Sequence, residues 1–546
     1  MPTQSNDMLH LVLDGESLTI DTLVTAARHP KIRVNISEDA QKRMKRSRDW
    51  VDRVQKDGEP VVYGINTGFG SQAIVSIDKE KLHLLQQNLI MSHAAGTGDP
   101  LPLDVARATM MLRANTLAKG FSGIRVEVVE TVLEMLEKNV IPWLPSQGSL
   151  GASGDLAPLS HLALVISDIG RVKNPEYTGR AYILDPKTKQ WELTNGRAAM
   201  KRAGIPQVRL EAKEGLALNN GTQVTTAILA LAYHDAQQLV KLADIAMSMS
   251  LEALQGIYSA FRPEIHQLRP HPGQIDTAEN IRRLTESSML LDRHFEQVQD
   301  AYSLRCHPQV MAGVRDTLRF IENTITIEMN ATNDNPIIFP DLQEYSKAIS
   351  GGNFHGQPVA FAGDFLSIVL CEVGNISERR IFRLSDKNLN RGLPSFLITN
   401  PGLENGLMIA QYTAASLVSE NKSLAHPASI DSIPSCENQE DHVSMSPISA
   451  RKARQILANV QKVVAIELLY AAQALELILN RERQKFDTSP ESLFGKGTCA
   501  AFETIRKHVP FLEKDRPIYL DIENMLALIQ NGELLKKVES KIGKLK

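Results

Sequence analysis

Aromatic side chains are scarce in this chain of 546 residues, at 5% of the sequence, and there are only four cysteines. Cys306, Cys371, Cys436 and Cys499 form no C-x-x-C pair. That spacing excludes a disulfide frame or a zinc ribbon and reads as four reduced thiols in a cytoplasmic protein. A surplus of one charge is also missing: 60 Lys and Arg meet 63 Asp and Glu, for a net charge of −3. No basic field therefore directs the chain to nucleic acid. Met1 to Gly15 lacks a basic region followed by a long apolar core, so no secretory signal is read there. The most apolar stretch, Val463 to Leu479, is interrupted by Glu467, Gln473 and Glu476, which suits a buried helix and not a membrane span. No internal repeat and no low-complexity tract is present.

What remains is an alanine- and leucine-rich chain with 43% hydrophobic and 23% charged residues, the balance of a soluble, mainly helical protein. Its length exceeds one ordinary core. The pattern predicts an N-terminal domain over 1–215, a central bundle of long helices over 216–480 and a C-terminal helical segment over 481–546. In the first part we expect a charged helix from about Ser37 to Lys56 and a short strand at Val61-Val62-Tyr63. A helix capped by Asp104 and ended by Gly120 should follow, then a polar strand-and-turn appendage at about 171–210. Long helices are expected at about 216–260, 308–330, 358–384, 405–424 and 446–480. Between them lie connections rich in Gly, Pro and Asn, such as R-P-H-P-G-Q (269–274) and N-D-N-P (333–336). Along 405–424, Leu407, Ala410, Ala414, Leu417 and Asn421 share one stripe. Helices of this kind pack as a bundle.

Residues 148–158 read G-S-L-G-A-S-G-D-L-A-P. Within them, the amide nitrogen of Gly154 can attack the carbonyl carbon of Ala152 and close a five-membered ring. Loss of water from the ring and from the Ser153 side chain then leaves an imidazolone with an exocyclic methylene, an electrophile made from the chain itself. Gly154 has no Cβ to obstruct the approach, Ser153 supplies the leaving β-hydroxyl, and Ala152 adds little bulk.

The longer string G-S-L-G-A-S-G-D-L-A-P-L-S-H resembles the segment that forms methylidene-imidazolone (MIO) in the aromatic amino acid ammonia-lyase and 2,3-aminomutase family. Further motifs follow in the order of that family and cover nearly the whole chain. Y-G-I-N-T-G-F-G (63–70) is similar to the loop with the catalytic base, which implies Tyr63 in that role and requires a site favouring its phenolate. Q-D-A-Y-S-L-R-C (299–306) implies that Gln299, Tyr302 and Arg305 face substrate, with the Arg305 guanidinium gripping a carboxylate. L-N-N-G-T (218–222) implies that Asn220 holds the modified triplet and the carboxylate, and G-G-N-F-H-G-Q (351–357) places Phe354 beside the prosthetic group. Asn219 stands where an apolar residue is usual, and Gln357 where an acidic one often is.

Two residues bear on the substrate. His93 lies in S-H-A-A-G (92–96), and Glu420 lies on an otherwise apolar helix, where a buried carboxylate needs a donor. Together they suit an imidazole, which has N–H groups to offer, better than a benzene ring. The string 425–445, A-H-P-A-S-I-D-S-I-P-S-C-E-N-Q-E-D-H-V-S-M, resembles the histidine-specific branch of the family, with Gln439 supporting the site. A metal site at Glu440, Asp441 and His442 is disfavoured, since adjacent residues do not converge on one ion.

The resemblance implies a mainly α fold, a long antiparallel bundle of the aspartase/fumarase-like type with a mixed N-terminal domain carrying the MIO loop. It also implies a carbon–nitrogen lyase that converts L-histidine to trans-urocanate and ammonia, with MIO formed from Ala152-Ser153-Gly154, no external cofactor and no metal. A homotetramer with active sites shared between chains is expected. The rival readings are a tyrosine or phenylalanine ammonia-lyase and a 2,3-aminomutase, and L-S-D-K-N-L-N-R-G-L-P-S-F-L (384–397) looks closer to phenylalanine lyases and aminomutases. A fumarase or argininosuccinate lyase relative is opposed by the lack of a G-S-S-x-M-P-x-K-x-N loop. Whether the amine or the ring meets the electrophile stays open.

Overall fold

The computed structural model describes residues 7–170, 172–294 and 298–546. The first six residues and position 171, where the polar stretch 171–210 begins, lie outside the described residues. Parallel strands β1 (Leu9–Leu13) and β2 (Ile32–Ile36) flank α1 (Ile20–Arg28) and lead into α2 (Glu38–Asp57). The limits of α2 follow from its ends. The Ser37 hydroxyl accepts from Ala40 N, and Gly58 at φ 82° stops the helix in a left-handed turn. The run Val61-Val62-Tyr63 is not a strand. The Asn66 side chain takes the Val62 N–H at 2.7 Å, and Gly64 turns the chain at φ 73°.

Next come α3 (Leu82–His93), β3 (Thr97–Pro100), α4 (Leu103–Ala118), α5 (Val126–Glu137), β4 (Val140–Pro142), β5 (Pro145–Gln147) and α6 (Leu156–Ile166). Asp104 sits in the first turn of α4 and not at its cap, which is Pro102. Its carboxylate instead meets Arg28 and Arg454. Strands β6 (Arg180–Leu184) and β7 (Trp191–Asn195) form a hairpin that extends β4 into a three-stranded sheet, followed by α7 (Gly196–Ala203). This stretch is only partly an appendage, because Ala181, Ala199 and Met200 are buried in the main core.

The bundle begins with the one-and-a-half-turn α8 (Glu214–Asn219) and then α9 (Gln223–Ala253). Short helices α10 (Pro263–Gln267), α11 (Pro272–Leu284) and α12 (Tyr302–Arg305) precede α13 (His307–Met329), α14 (Gln357–Ser385), α15 (Met408–Leu424) and α16 (Ser446–Arg483). Helices α9, α13, α14 and α16 pack together, with α15 laid against α14 and α16. On α15 the anticipated stripe faces inward, with Ala410, Ala414 and Asn421 buried. Helices α17 (Pro490–Leu493), α18 (Lys496–His508), α19 (Ile518–Gln530) and α20 (Glu533–Ile542) close one end. By length and composition α14 and α16 could each cross a membrane. The interior of α16 is instead tied to polar partners: Glu467, fully buried, is paired with Arg380 of α14.

Candidate active site

The loop 148–155 enters α6 and is clamped from two sides. On one side, Gly221 N donates to Ser153 O at 3.4 Å and Asp155 N donates to Gly221 O at 2.7 Å. On the other, Ser444 Oγ donates to Gly151 O at 3.0 Å and Met445 N to Leu150 O at 2.9 Å. Gly154 lies at φ 74°, and a Cβ there would collide with the Gly221 carbonyl. Asp155 is fully buried, and burial pushes its carboxyl up to about 6 against opposing hydrogen bonds from Thr225. The triplet therefore ends on a glycine held in a left-handed conformation at the mouth of a helix.

Ser153 faces a cavity of about 830 Å³ whose walls include Tyr63, Phe69, His93, Asn220 and Glu440. The Tyr63 hydroxyl accepts from Gly70 N at 3.2 Å, and its ring meets Phe69 edge-on at 6.3 Å. Burial raises the phenol above its ordinary pKa, the single bond from Gly70 lowers it, and the Glu440 carboxylate raises it further. The expected bias toward phenolate is thus absent among the described residues of one chain, because only one donor there opposes desolvation. His93 ends α3, with Nδ1 at 3.0 Å from Ser92 Oγ. Burial pushes its pKa below the usual imidazole value, so the ring is neutral near pH 7. Asn220 caps α8; its carbonyl accepts from the buried Arg113 at 2.6 Å, and its Oδ1 has no partner among the described residues. The unusual Asn219 points away from the cavity and donates to Ser160 at 3.1 Å.

The carboxylate that faces this cavity is Glu440, which the sequence pointed to only as an unconvincing metal ligand. Its Oε1 accepts from Ser153 Oγ at 3.0 Å and its Oε2 from Ser435 Oγ at 2.8 Å. Cys436, Glu437 and Asn438 all have positive φ, and this tight turn lifts Glu440 toward Ser153. The neighbouring side chains diverge: Asp441 is exposed, and His442 stacks on His355 at 5.8 Å. Glu420, expected as a buried partner for imidazole, is exposed on α15 with Gln455 at 3.5 Å. Gln439 and Gln299 are exposed as well. Tyr302 is 71% exposed, with the Arg305 guanidinium over its ring at 4.7 Å. Phe354 is half-buried. The single chain therefore brings together Tyr63, His93, Ser153 and Asn220, and leaves Gln299, Tyr302, Arg305, Phe354 and Glu420 outside the cavity wall.

The residues present fit a group closed from Ala152, Ser153 and Gly154. A left-handed glycine with no room for a side chain, a serine aimed into a cavity and an orphaned Asn220 oxygen beside it are the parts that group needs. The sequence profile of the aromatic amino acid lyase family matches residues 18–507. The chain belongs to that family. A histidine ammonia-lyase of Caldanaerobacter subterraneus subsp. tengcongensis is 52% identical over 528 residues, covering 96% of this chain and 98% of the relative. Among solved structures, histidine ammonia-lyase from Trypanosoma cruzi has a TM-score of 0.86 at 40% identity, covering 98% of this lyase chain and 96% of its own. Tyrosine aminomutase from Streptomyces globisporus has a TM-score of 0.88 at 36% identity, covering 98% and 100%.

Proposed function

We propose that this chain is an ammonia-lyase that converts L-histidine to trans-urocanate, using an electrophile formed from Ala152-Ser153-Gly154. The observation that carries the reading is the shared cavity of Ser153, Tyr63, His93 and Glu440, two groups for the reaction and two for an imidazole. The methylidene-imidazolone supplies an electron-poor carbon that activates either the amine or the ring. Tyr63 takes the β-proton at its phenolic oxygen, and the positive charge that substrate ammonium and Arg305 bring near it lowers its pKa. Glu440 accepts from the substrate ring N–H, while neutral His93 meets the other side of the ring. The Asn220 amide and the Arg305 guanidinium hold the carboxylate.

In this reading the residues outside the cavity wall of one chain reach it from neighbouring copies, in a homotetramer of a cytoplasmic, cofactor-independent enzyme. Large apolar side chains exposed on the bundle, among them Phe320, Phe361, Phe365, Ile409 and Tyr412, support such an assembly. Incubating the purified protein with histidine, tyrosine and phenylalanine tests the substrate: urocanate from histidine is expected, and β-amino acids or cinnamate-type products would overturn it. Mixing inactive Ser153→Ala and Arg305→Gln chains, with subunit exchange, tests the sharing: activity returns if Ser153 and Arg305 of one site come from different chains and stays absent if every site is built from one.

A further inference from the structure

Helix α12 is a single turn, too short to hold its own shape. It nevertheless carries Tyr302 and Arg305, which must present a fixed fork to a carboxylate. Its support comes from inside the bundle. Arg380 of α14 is fully buried and donates through Nη1 to Ser303 O, in the middle of α12, at 3.2 Å. The same nitrogen lies 3.2 Å from His307 Nδ1, and Nη2 reaches Glu467 of α16 at 2.8 Å. His307 Nε2 lies 3.0 Å from Asp244 of α9, whose other oxygen accepts from Asn280 of α11 at 2.9 Å and pairs with Arg315 of α13. Ser250 and Ser377 hydroxyls donate to the two oxygens of Glu467 at 2.9 and 2.6 Å.

The chemistry of the partners fixes the protonation of this cluster. A guanidinium only donates and a carboxylate only accepts, so His307 accepts at Nδ1 from Arg380 and carries its proton at Nε2 toward Asp244. Two arginines and two carboxylates then cancel, and burial keeps the His307 pKa below its usual value. A bundle gains little stability from such a cluster, because well-packed apolar residues serve as well. What apolar residues cannot do is send a donor out of the bundle to a backbone carbonyl in α12. We infer that Arg380 and His307 are positioning residues for the substrate carboxylate, setting the orientation of the one-turn helix that presents Tyr302 and Arg305. This rests on the reading in which Arg305 grips that carboxylate.

The test compares two competitive inhibitors on the assembled enzyme: imidazolepropionate, which has a carboxylate, and imidazole, which has none. Gln at 307 keeps a donor near Asp244 but loses the acceptor for Arg380; Asn keeps that acceptor in place of Nδ1. His307→Gln should weaken imidazolepropionate by about tenfold or more, the scale of a misaimed charge-assisted pair. Imidazole inhibition should stay within about twofold, and His307→Asn should restore most of the carboxylate affinity. Equal weakening of both inhibitors, or of neither, would overturn the inference. If His307→Gln does not fold, Arg380→Lys, which keeps the charge and loses the fork, is read by the same two inhibitors. Arg305→Gln separates the levels. If it leaves imidazolepropionate binding intact, the underlying assignment of Arg305 fails; if it weakens binding while the 307 and 380 variants do not, the positioning role fails.

Discussion

Ser153 Oγ donates to Glu440 Oε1 at 3.0 Å across 287 positions of sequence. The bond places a carboxylate against the serine that must lose its hydroxyl, and the same charge raises the pKa of Tyr63. Glu440→Gln keeps an acceptor and removes the charge. We expect kcat/KM for histidine to fall by about tenfold or more, the scale of a charge-assisted hydrogen bond exchanged for a neutral one. The ascending limb of the kcat/KM profile should also move to lower pH, because Tyr63 ionises more easily without the anion. A profile that keeps its shape and position would separate Glu440 from the base.

Gly154 is the most constrained position of the loop. Gly154→Ala puts a Cβ into the Gly221 carbonyl and asks an L-residue to hold φ 74°. The strain falls on the bonds from Asp155 N to Gly221 O and from Gly221 N to Ser153 O. The variant should fold, since α9, α13, α14 and α16 pack on one another, yet yield a 152–154 peptide of unmodified mass and no lyase activity. In the native enzyme the same peptide should be lighter by two waters. A variant peptide that still lacks both waters would refute the geometric requirement.

His93 offers a test of substrate choice. Its ring is neutral, tethered to Ser92 and open to the cavity. His93→Leu leaves the reacting groups in place and removes one polar wall. We expect kcat/KM for histidine to fall by about a hundredfold, while that for phenylalanine stays level or rises, because a benzene ring has no N–H to leave unpaired. Equal losses for both amino acids would place His93 in general catalysis instead.

The parts legible in the sequence are those set by local chemistry. Long helices announce themselves by period, and the observed α13 (His307–Met329), α14 (Gln357–Ser385) and α16 (Ser446–Arg483) fall within a few residues of the expected spans. The strained backbone expected at Gly154 was legible because only glycine carries it without a Cβ penalty, and Gly154 holds φ 74°. What escaped depended on distant partners. Val61 to Tyr63 has strand-forming residues but no strand to pair with among the described residues, and the Asn66 side chain claims the Val62 N–H instead. Glu440 sits in a loop without period, and three successive left-handed residues decide where it points. Glu420 occupies an apolar-looking helix on its outward face, a distinction that only the packing of α15 reveals.

Glu252, on α9, links stability to pH away from the cavity. It is fully buried, and burial pushes its carboxyl up to about 7, opposed by the hydrogen bond that Gly495 N donates to it at 2.8 Å. Between its ordinary pKa and that value the native state binds more protons than the unfolded chain. Stability therefore falls as pH rises through this window and levels off above it. Above the window the buried charge costs about 3 kcal/mol by the size of the shift. Glu252→Gln keeps the acceptor for Gly495 N and removes the charge. Its melting temperature should exceed that of the native protein at about pH 8, with the advantage shrinking toward about pH 5, where Glu252 is already protonated. Asp155 and Glu328, also raised by burial, impose the same slope on both proteins and cancel in the comparison. A melting-temperature difference that does not change with pH would show that Glu252 is not the titrating group.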